Sequence, residues 1–581
     1  TMNAQTTDES AEQGAYNMPF VRYDSKFAKI GGKAKRLKAK DFDYKKTASE
    51  ASNQGYVALK TTKDFISWQV NDGGNGITIR FTLPDNEKGE SVGQQSDIDI
   101  FVNDKKIKTI NLNSRWAWQY FIPNKSEPQL DITDMPLMRF DEVHFRLDYD
   151  KRIIAGDIVT IKKSKNDGLD CGIDFIEIEP VPPMIGQSKY SLSVKDYGAK
   201  GDGVNNDLPA FQACIKAALE LKRSVYIPEG TYALDSLFTL FDDNINIQGA
   251  GMWYTNLYFT NNGIMKGGIC GNASNLRIAD LYINGVNTLR QERNGDYRDY
   301  KAIWGNFGEN SIIENVWEEH FECGIWIAGY YAPIKEPTQH LTVRNVRLRN
   351  NYADGVNFAE GTSNSIFEYS NVRNCGDDGI ASWSQTHKTK QCNTHNIFRY
   401  CTVEFGWRAG GIGMFGGSGH EIYNCSVGEH TLSAGIRFTA DFPGCDLDTQ
   451  NPMKVSNCTV YKCGTTKDLF NNRLGAVDIH GGTRYNLDNI QFNNITIIKS
   501  QTDGIKLWGG HMENLSFKNI FINGVGKGFK VDKKKQKSYG IATHEKGSAN
   551  FINTTFKKCC CKKVNKNKEF KLNFTEDKAS N

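Results

Sequence analysis

No stretch of the 581-residue chain reaches 18 consecutive apolar residues, so it offers no candidate membrane-spanning helix of the usual length. It also lacks an excess of either charge, since 71 lysines and arginines against 67 aspartates and glutamates leave +4. That balance gives no field for holding nucleic acid or an anionic membrane, and it favours neutral partners. The opening TMNAQTTDES has none of the charged-then-apolar profile of a secretory signal, although a signal already removed leaves the same appearance. Among the 14 cysteines there is no metal-type CxxC pair. Cys375, Cys401, Cys425 and Cys458 instead recur in NCGD, YCTV, NCSV and NCTV, and with Cys323 they read as small buried residues in equivalent strands rather than a disulfide framework. Cys559, Cys560 and Cys561, in KKCCCKK, fall outside that pattern.

What is present is strand. Residues 1–40 are polar and basic without a sustained period, and are expected to form a tail or surface strap. Residues 41–179 give short apolar runs such as YVALKT, FISWQV, GITIRFTL, DIDIFVN and IDFIEIE, separated by turn signals such as NDGGNG and PDNEKGE. Regular short strands with polar turns predict an antiparallel β-sandwich. The prolines of EPVPPM predict a linker over 180–190, because proline cannot complete a hydrogen-bonded ladder. Residues 558–581 read as a basic C-terminal tail.

A different style occupies 191–557. Asp207 is placed to cap a helix with Pro209 in its first turn and Phe211, Cys214, Ile215, Ala218 and Leu221 on one face. The glycines of GAKGDG lack the GK[ST] ending of a phosphate loop and read as turn residues. Two elements then alternate: LTVRNVRLRN, NIFRYCTVEF or MKVSNCTVYK, followed by CGIWIAG, DGVNFAE, DGIASWS, GGIGMFG, AGIRFTA, GAVDIHG or DGIKLWG. A repeat of about 24 to 36 residues has too little apolar surface to fold alone, so the units stack into a parallel β-helix. The fold class is therefore all-β. Asparagine at a fixed place in each turn predicts side-chain ladders between coils, which makes sequons such as Asn457 and Asn494 structural rather than glycosylated.

Aligned at the Gly-apolar step, the second element places Asp354 and Asp378 at the same angular position, 24 residues apart. Coils stack about 4.8 Å apart, so the two carboxylates are expected to be neighbours on the outer surface, projecting into an open trough. At roughly 5 Å and an effective dielectric near 20 their repulsion is on the order of 3 kcal/mol, or about two pKa units. Adjacent Asp377 adds to it. Three carboxylates can bind calcium or simply tolerate their charges in a solvated turn. They also supply what glycoside hydrolysis needs, one group kept protonated for the leaving oxygen and others ionised to activate water. Asp377 has no acidic counterpart in the preceding coil, where Ala353 stands, and is assigned as general acid; Asp354 and Asp378 hold the water. Because neighbours in a strand face opposite ways, Asp377 must lie at a corner.

These residues carry a resemblance. SVKDYGAKGDGVNNDLPAFQACIKAALELKRSVYIPEGTY is similar to the opening of the pectate-lyase-like superfamily of right-handed parallel β-helices, in which the helix plugs the first coil. The sandwich resembles jelly-roll carbohydrate-binding modules. YADGVNF followed by CGDDGIASW resembles the α-1,3-glucanase (mutanase) family of glycoside hydrolases. The resemblance implies endo-hydrolysis of α-1,3-glucan with inversion, with Asp354, Asp377 and Asp378 catalytic. It implies a polysaccharide partner, no cofactor for catalysis with room for a structural calcium ion, and a secreted monomer. More distantly similar polygalacturonases expect Gly-His-Gly and Arg-x-Lys, which SGHEIY and GIRFT match only in part. A dextranase, a calcium-dependent lyase and a non-catalytic glycan-binding shaft remain the alternatives. Trp383, His387, Trp407, Arg408, Phe415, His430, Arg437, His480 and Trp508 lie near the aligned elements and are candidates to line a sugar groove, while Trp68, Trp116 and Trp118 are candidates on the sandwich.

Overall fold

The computed structural model describes residues 18–40, 45–87, 92–121, 128–129, 135–288, 299–329, 336–386, 389–441, 447, 451–464, 472–482, 486–526, 530–531, 534–535, 537–559 and 562–577. They divide into two units that meet in sequence at Pro183 and Met184.

Besides a small three-stranded sheet of Pro128–Gln129, Gln119–Phe121 and Met135–Met138, the first unit holds two larger antiparallel sheets. One runs Asp141–Arg146, Gly76–Thr82, Cys171–Glu179, Gly55–Leu59, Lys35–Lys38, with Val21–Asp24 also paired to Cys171–Glu179. The other runs Lys29–Gly31, Phe65–Gln69, Ile158–Lys163, Gln95–Val102, Lys105–Asn113. Alternation sends Val57, Ile79, Ile98, Ile161 and Ile173 into one shared core. Residues 21–38 are thus not the tail expected from composition. Their lysines face outward while Tyr23 and Ala28 enter the core, and Arg22 pairs with Glu177 at 2.7 Å over the Phe175 ring. Trp68 is a core residue whose indole N–H donates to the Asp24 carbonyl at 2.9 Å, which removes it as a glycan ligand; Trp116 and Trp118 are half-buried.

In the second unit the expected helix spans Leu208–Leu221. Asp207 does not cap it with its side chain; the carboxylate accepts instead from the N–H groups of Lys200 and Gly201 at 2.6 and 2.9 Å, tying down the preceding turn. Phe211, Cys214, Ile215 and Ala218 are buried, with Phe211 against Tyr232 and Phe238, whereas Leu221 at the helix end is exposed. No helix among the described residues is long and apolar enough to cross a membrane.

Beyond the helix the chain winds into a parallel β-helix, with a 22-stranded sheet around two faces and a 12-stranded sheet on the third. A typical coil contributes Thr342–Arg344, Arg347–Asn351 and Val356–Ala359. Its first two strands meet at Asn345, whose φ of 50° is a left-handed corner that asparagine tolerates better than most residues. Corner amides join coil to coil: Asn345 donates to Asn315 at 2.6 Å, and Asn494 to Asn457 at 2.8 Å, with Asn457 reaching Asn424 at 3.4 Å. The amide nitrogens of the two sequons are therefore engaged in the ladder. Inward, Ile325, Val356, Ile380, Ile412, Ile436, Val477, Ile505 and Ile541 stack in register, each contributing about 1.5–3 kcal/mol of burial. Cys323, Cys375, Cys401, Cys425 and Cys458 are buried free thiols, while Cys392 is disulfide-bonded. Cys559 is half-buried; Cys560 and Cys561 lie outside the described residues.

The coil does not end at 557. Val564–Asn565 pairs with Ile541–Thr543 and Phe570–Thr575 with Gly547–Lys557, so the expected basic tail is one more coil. Its lysines mask a period of two in which Phe570 and Leu572 pack on the core. Phe492, Phe517, Phe551 and Phe574 stack through these coils at centroid distances of 4.8, 4.4 and 5.3 Å. Phe517 is fully buried in that stack, so Phe517→Ala is expected to lower unfolding stability by about 3–5 kcal/mol. Urea unfolding checks this, and an unchanged midpoint would refute the packing account.

Candidate active site

The third face turns two rows of side chains outward. Because strands alternate, successive coils present Asn357 and Ala359, then Ala381 and Trp383, Gly413 and Phe415, Arg437 and Thr439, Asp478 and His480, and finally Lys506 and Trp508. Ala381 and Gly413 are the small members of the first row, and both are covered: a methyl group on Gly413 would lie 2.7 Å from the Phe415 ring and 3.0 Å from Asp378 Oδ2. Beside them lies the corner where each strand begins.

Backbone hydrogen bonds fix this corner. The N–H of Gly324 donates to the carbonyl of Asp354, that of Gly355 to Asp378, and that of Gly379 to Gly410, each at 3.1 Å. Asp354 and Asp378 therefore sit one above the other in consecutive coils. Asp377 lies between the strands Asn371–Cys375 and Ile380–Trp383, in the corner that alternation requires of it. One carboxylate oxygen from each of the three aspartates lies within 4.8 Å of the others. The expectation that Asp354 and Asp378 stand on an open outer surface is corrected: both are buried, at 7% and 6%, with the Asp378 carboxylate packed against Gly410 and Gly413 of the next coil. Asp377 keeps a quarter of its side chain exposed.

The cluster is held by specific partners. Asp378 accepts from the Gly410 N–H at 2.9 Å, and Asp354 from the Asn357 amide at 3.3 Å. Asp377 accepts from the Asp378 N–H at 3.1 Å and from Arg408 at 2.9 Å, while the same Arg408 nitrogen donates to the Gly376 carbonyl at 3.0 Å. Trp407 packs under this segment so closely that a methyl group on Gly376 would lie 2.1 Å from its ring. Arg408 already brings positive charge to Asp377, and no step below is routed through a metal.

The candidate sugar ligands divide. Trp383, Phe415, Arg437, His480 and Trp508 are half-buried in the outward rows. Trp383 meets Trp326 edge-on at 6.0 Å. His480 and Trp508 stack on each other at 4.0 Å and form one surface rather than two, with the indole N–H held by Asp478 at 3.0 Å. Burial, followed by the Arg437 charge, pushes His480 down to about 4, with Asp441 opposing. Trp407, Arg408 and His430 are corrected, because they occupy corners rather than outward strand positions. Trp407 is fully buried, and Arg408 is spent on Asp377. His430 donates to the Ala409 carbonyl at 3.4 Å and is pushed to about 4 by burial. His387 lies outside the described residues.

His420, of SGHEIY, is also internal. Its Nδ1 accepts from the Asn396 N–H at 3.1 Å, so its Nε2 carries the proton and donates to Ser382 at 3.2 Å. That polarity is the reverse of what a serine nucleophile needs.

Sequence reasoning passed over Asn357, Asp478 and Lys506. Extending the alignment two residues past the glycine would have found them, as the row Asn357, Ala381, Gly413, Arg437, Asp478, Lys506. Asp478 is fully buried, with its carboxyl raised by desolvation against the pull of Arg437 and Lys506; burial likewise lowers Lys506.

Comparison with known proteins bears on this geometry. Models of the α-1,3-glucanase catalytic domain match residues 17–181, as domain D1, and 211–576, as domain D2. The crystal structure of the Agl-KA catalytic domain is 38% identical, covers 98% of this chain and 100% of its own, and superposes with a TM-score of 0.90. A GH87 α-1,3-glucanase catalytic domain solved with nigerose shares the fold at 21% identity, with 96% and 98% coverage and a TM-score of 0.78. Among curated proteins, alginate lyase 7 of Azotobacter vinelandii is 30% identical over 209 residues, 34% of this chain but only 24% of its own length. With both catalytic-domain models matched, the second over more than half of its length, the chain belongs to the α-1,3-glucanase catalytic domain family.

Proposed function

We propose that the chain is a secreted, monomeric endo-hydrolase of α-1,3-glucan that acts with inversion and without a cofactor. The observation that carries this reading is the convergence of three carboxylates within 4.8 Å at the edge of the third face. Asp377, the exposed member, protonates the leaving oxygen. Asp354 and Asp378, stacked one coil apart, share the attacking water. Two adjoining carboxylates suit a shared water, whereas a covalent nucleophile needs only one. Trp383, Phe415, Arg437 and the His480–Trp508 surface offer ring faces and donors to a neutral glucan along the same rows. A polymer that does not enter cells calls for secretion, and the Cys392 disulfide fits an oxidising compartment. Trp116 and Trp118 are the sandwich's candidates for holding glycan.

Asp354→Asn, Asp377→Asn and Asp378→Asn are each expected to cut reducing-sugar release from insoluble α-1,3-glucan by about 10²–10⁴-fold with unfolding midpoints preserved. Dextran, starch and polygalacturonate serve as controls. Unsaturated products abolished by chelation would establish a lyase instead. The first-formed sugar, followed by NMR, is expected as the β-anomer; an α-anomer would mean double displacement.

A further inference from the structure

One carboxyl group lies where the coil should be aliphatic. In the strand Ile312–Glu319, Glu318 pairs with Ile283 on one side and Leu348 on the other, and the row continues inward as Val372, Val403 and Val427. Glu318 is fully buried. Its Oε1 accepts from the Asn351 amide at 2.6 Å and from the Arg349 N–H at 3.2 Å, while Oε2 has no hydrogen-bond partner among the described residues. Placing an acid in such a row is unfavourable relative to leucine, because the carboxyl loses its water without gaining a full set of partners. Something other than core packing accounts for it.

Asn351 shows what the acid does. Besides donating to Glu318, its side-chain oxygen accepts from the Phe321 N–H at 3.4 Å, and its carbonyl accepts from the Gly376 N–H at 3.0 Å. Asn351 stands three residues before Asp354, and Gly376 immediately precedes Asp377. Glu318 also touches the neighbouring corner directly: a methyl group on Gly324 would lie 2.6 Å from its Oε1, and the Gly324 N–H is the donor that holds the Asp354 carbonyl. The Glu318–Asn351 pair thus braces, from inside the coil, the turns that carry Asp354 and Asp377.

We propose that Glu318 and Asn351 are positioning residues, an internal hydrogen-bonded pair that sets the spacing of the three aspartates. The inference rests on the triad being the catalytic centre. Burial, opposed by the hydrogen bonds from Asn351 and Arg349 and then reinforced by neighbouring Glu319 against His320, pushes the Glu318 carboxyl up to about 8, so the neutral acid is the main form at pH 7. Cys323, Cys375 and Asp354 are the other titratable groups near it. A neutral acid predicts that glutamine substitutes for it and leucine does not.

The test compares Glu318→Gln and Glu318→Leu with the wild type on insoluble α-1,3-glucan. Glu318→Gln keeps an acceptor for Asn351 and Arg349, and is expected to hold kcat within about twofold. Glu318→Leu fits the row but strands both donors; kcat should fall at least tenfold with KM changed less than threefold and both pH limbs displaced. The melting temperature of Glu318→Gln relative to wild type should rise with pH between about 5 and 8 and stay flat outside that window. The unfolded wild type ionises there while the folded form does not, so its stability is lost as pH rises. A crystal structure of Glu318→Leu should show the aspartates separated beyond 4.8 Å. A folded Glu318→Leu with wild-type kcat and spacing overturns the proposal, as does a Glu318→Gln variant as impaired as Glu318→Leu. If Glu318→Leu does not fold, Asn351→Ala answers the same question through the same readouts. An inactive wild type would refute the catalytic reading alone, because the crystallographic spacing still decides the positioning role.

Discussion

The site depends on one constraint, the parallel backbone register between consecutive coils. Each coil is hydrogen-bonded to the next along all three faces, so a residue's place in its turn fixes which residue lies above it. Asp354 lies over Asp378 because Val356 pairs with Ile380, and nothing in the acids themselves favours that meeting. Free carboxylates avoid one another. Only a scaffold whose aliphatic rows stack with many times the energy of the repulsion, about 3 kcal/mol, can impose it.

The scaffold also moderates what it imposes. Asp378 takes a backbone N–H, Asp354 an amide, and Asp377 a backbone N–H together with a guanidinium, so each acid has a different set of donors. Three chemically identical side chains thereby come to hold three different environments, which is the condition for dividing acid and base work among them. Trp407 contributes by packing alone: it fills the space under Gly376 and keeps the acidic segment from sinking.

The sequence makes the register legible, since the Gly-apolar step recurs and the aspartates sit at a fixed offset from it. It does not show depth. Asp354 and Asp378 read as surface residues because two-periodicity tells inside from outside along a strand but says nothing about how far neighbouring coils cover a corner. Trp407 and His430 were misplaced for the same reason, being corner residues that look like strand residues in one dimension. Glu318 was invisible in the opposite sense: NVWEEHFE resembles a solvated acidic patch, and only the pairing with Ile283 and Leu348 reveals which of its acids points inward. At the C-terminus the lysines of KEFKLNFT concealed the alternation that builds the last coil.

The asparagine corners have a practical consequence for making the protein. Asn424, Asn457 and Asn494 each stand in an N-x-S/T triplet, and they form one amide column in the folded coil. Oligosaccharyl transfer in a eukaryotic secretory pathway acts on chain that has not yet folded, when these amides are free. A glycan attached then could not be accommodated in a column whose neighbours meet at 2.8–3.4 Å, and the coils would be barred from closing. A host that does not modify asparagine leaves the column intact.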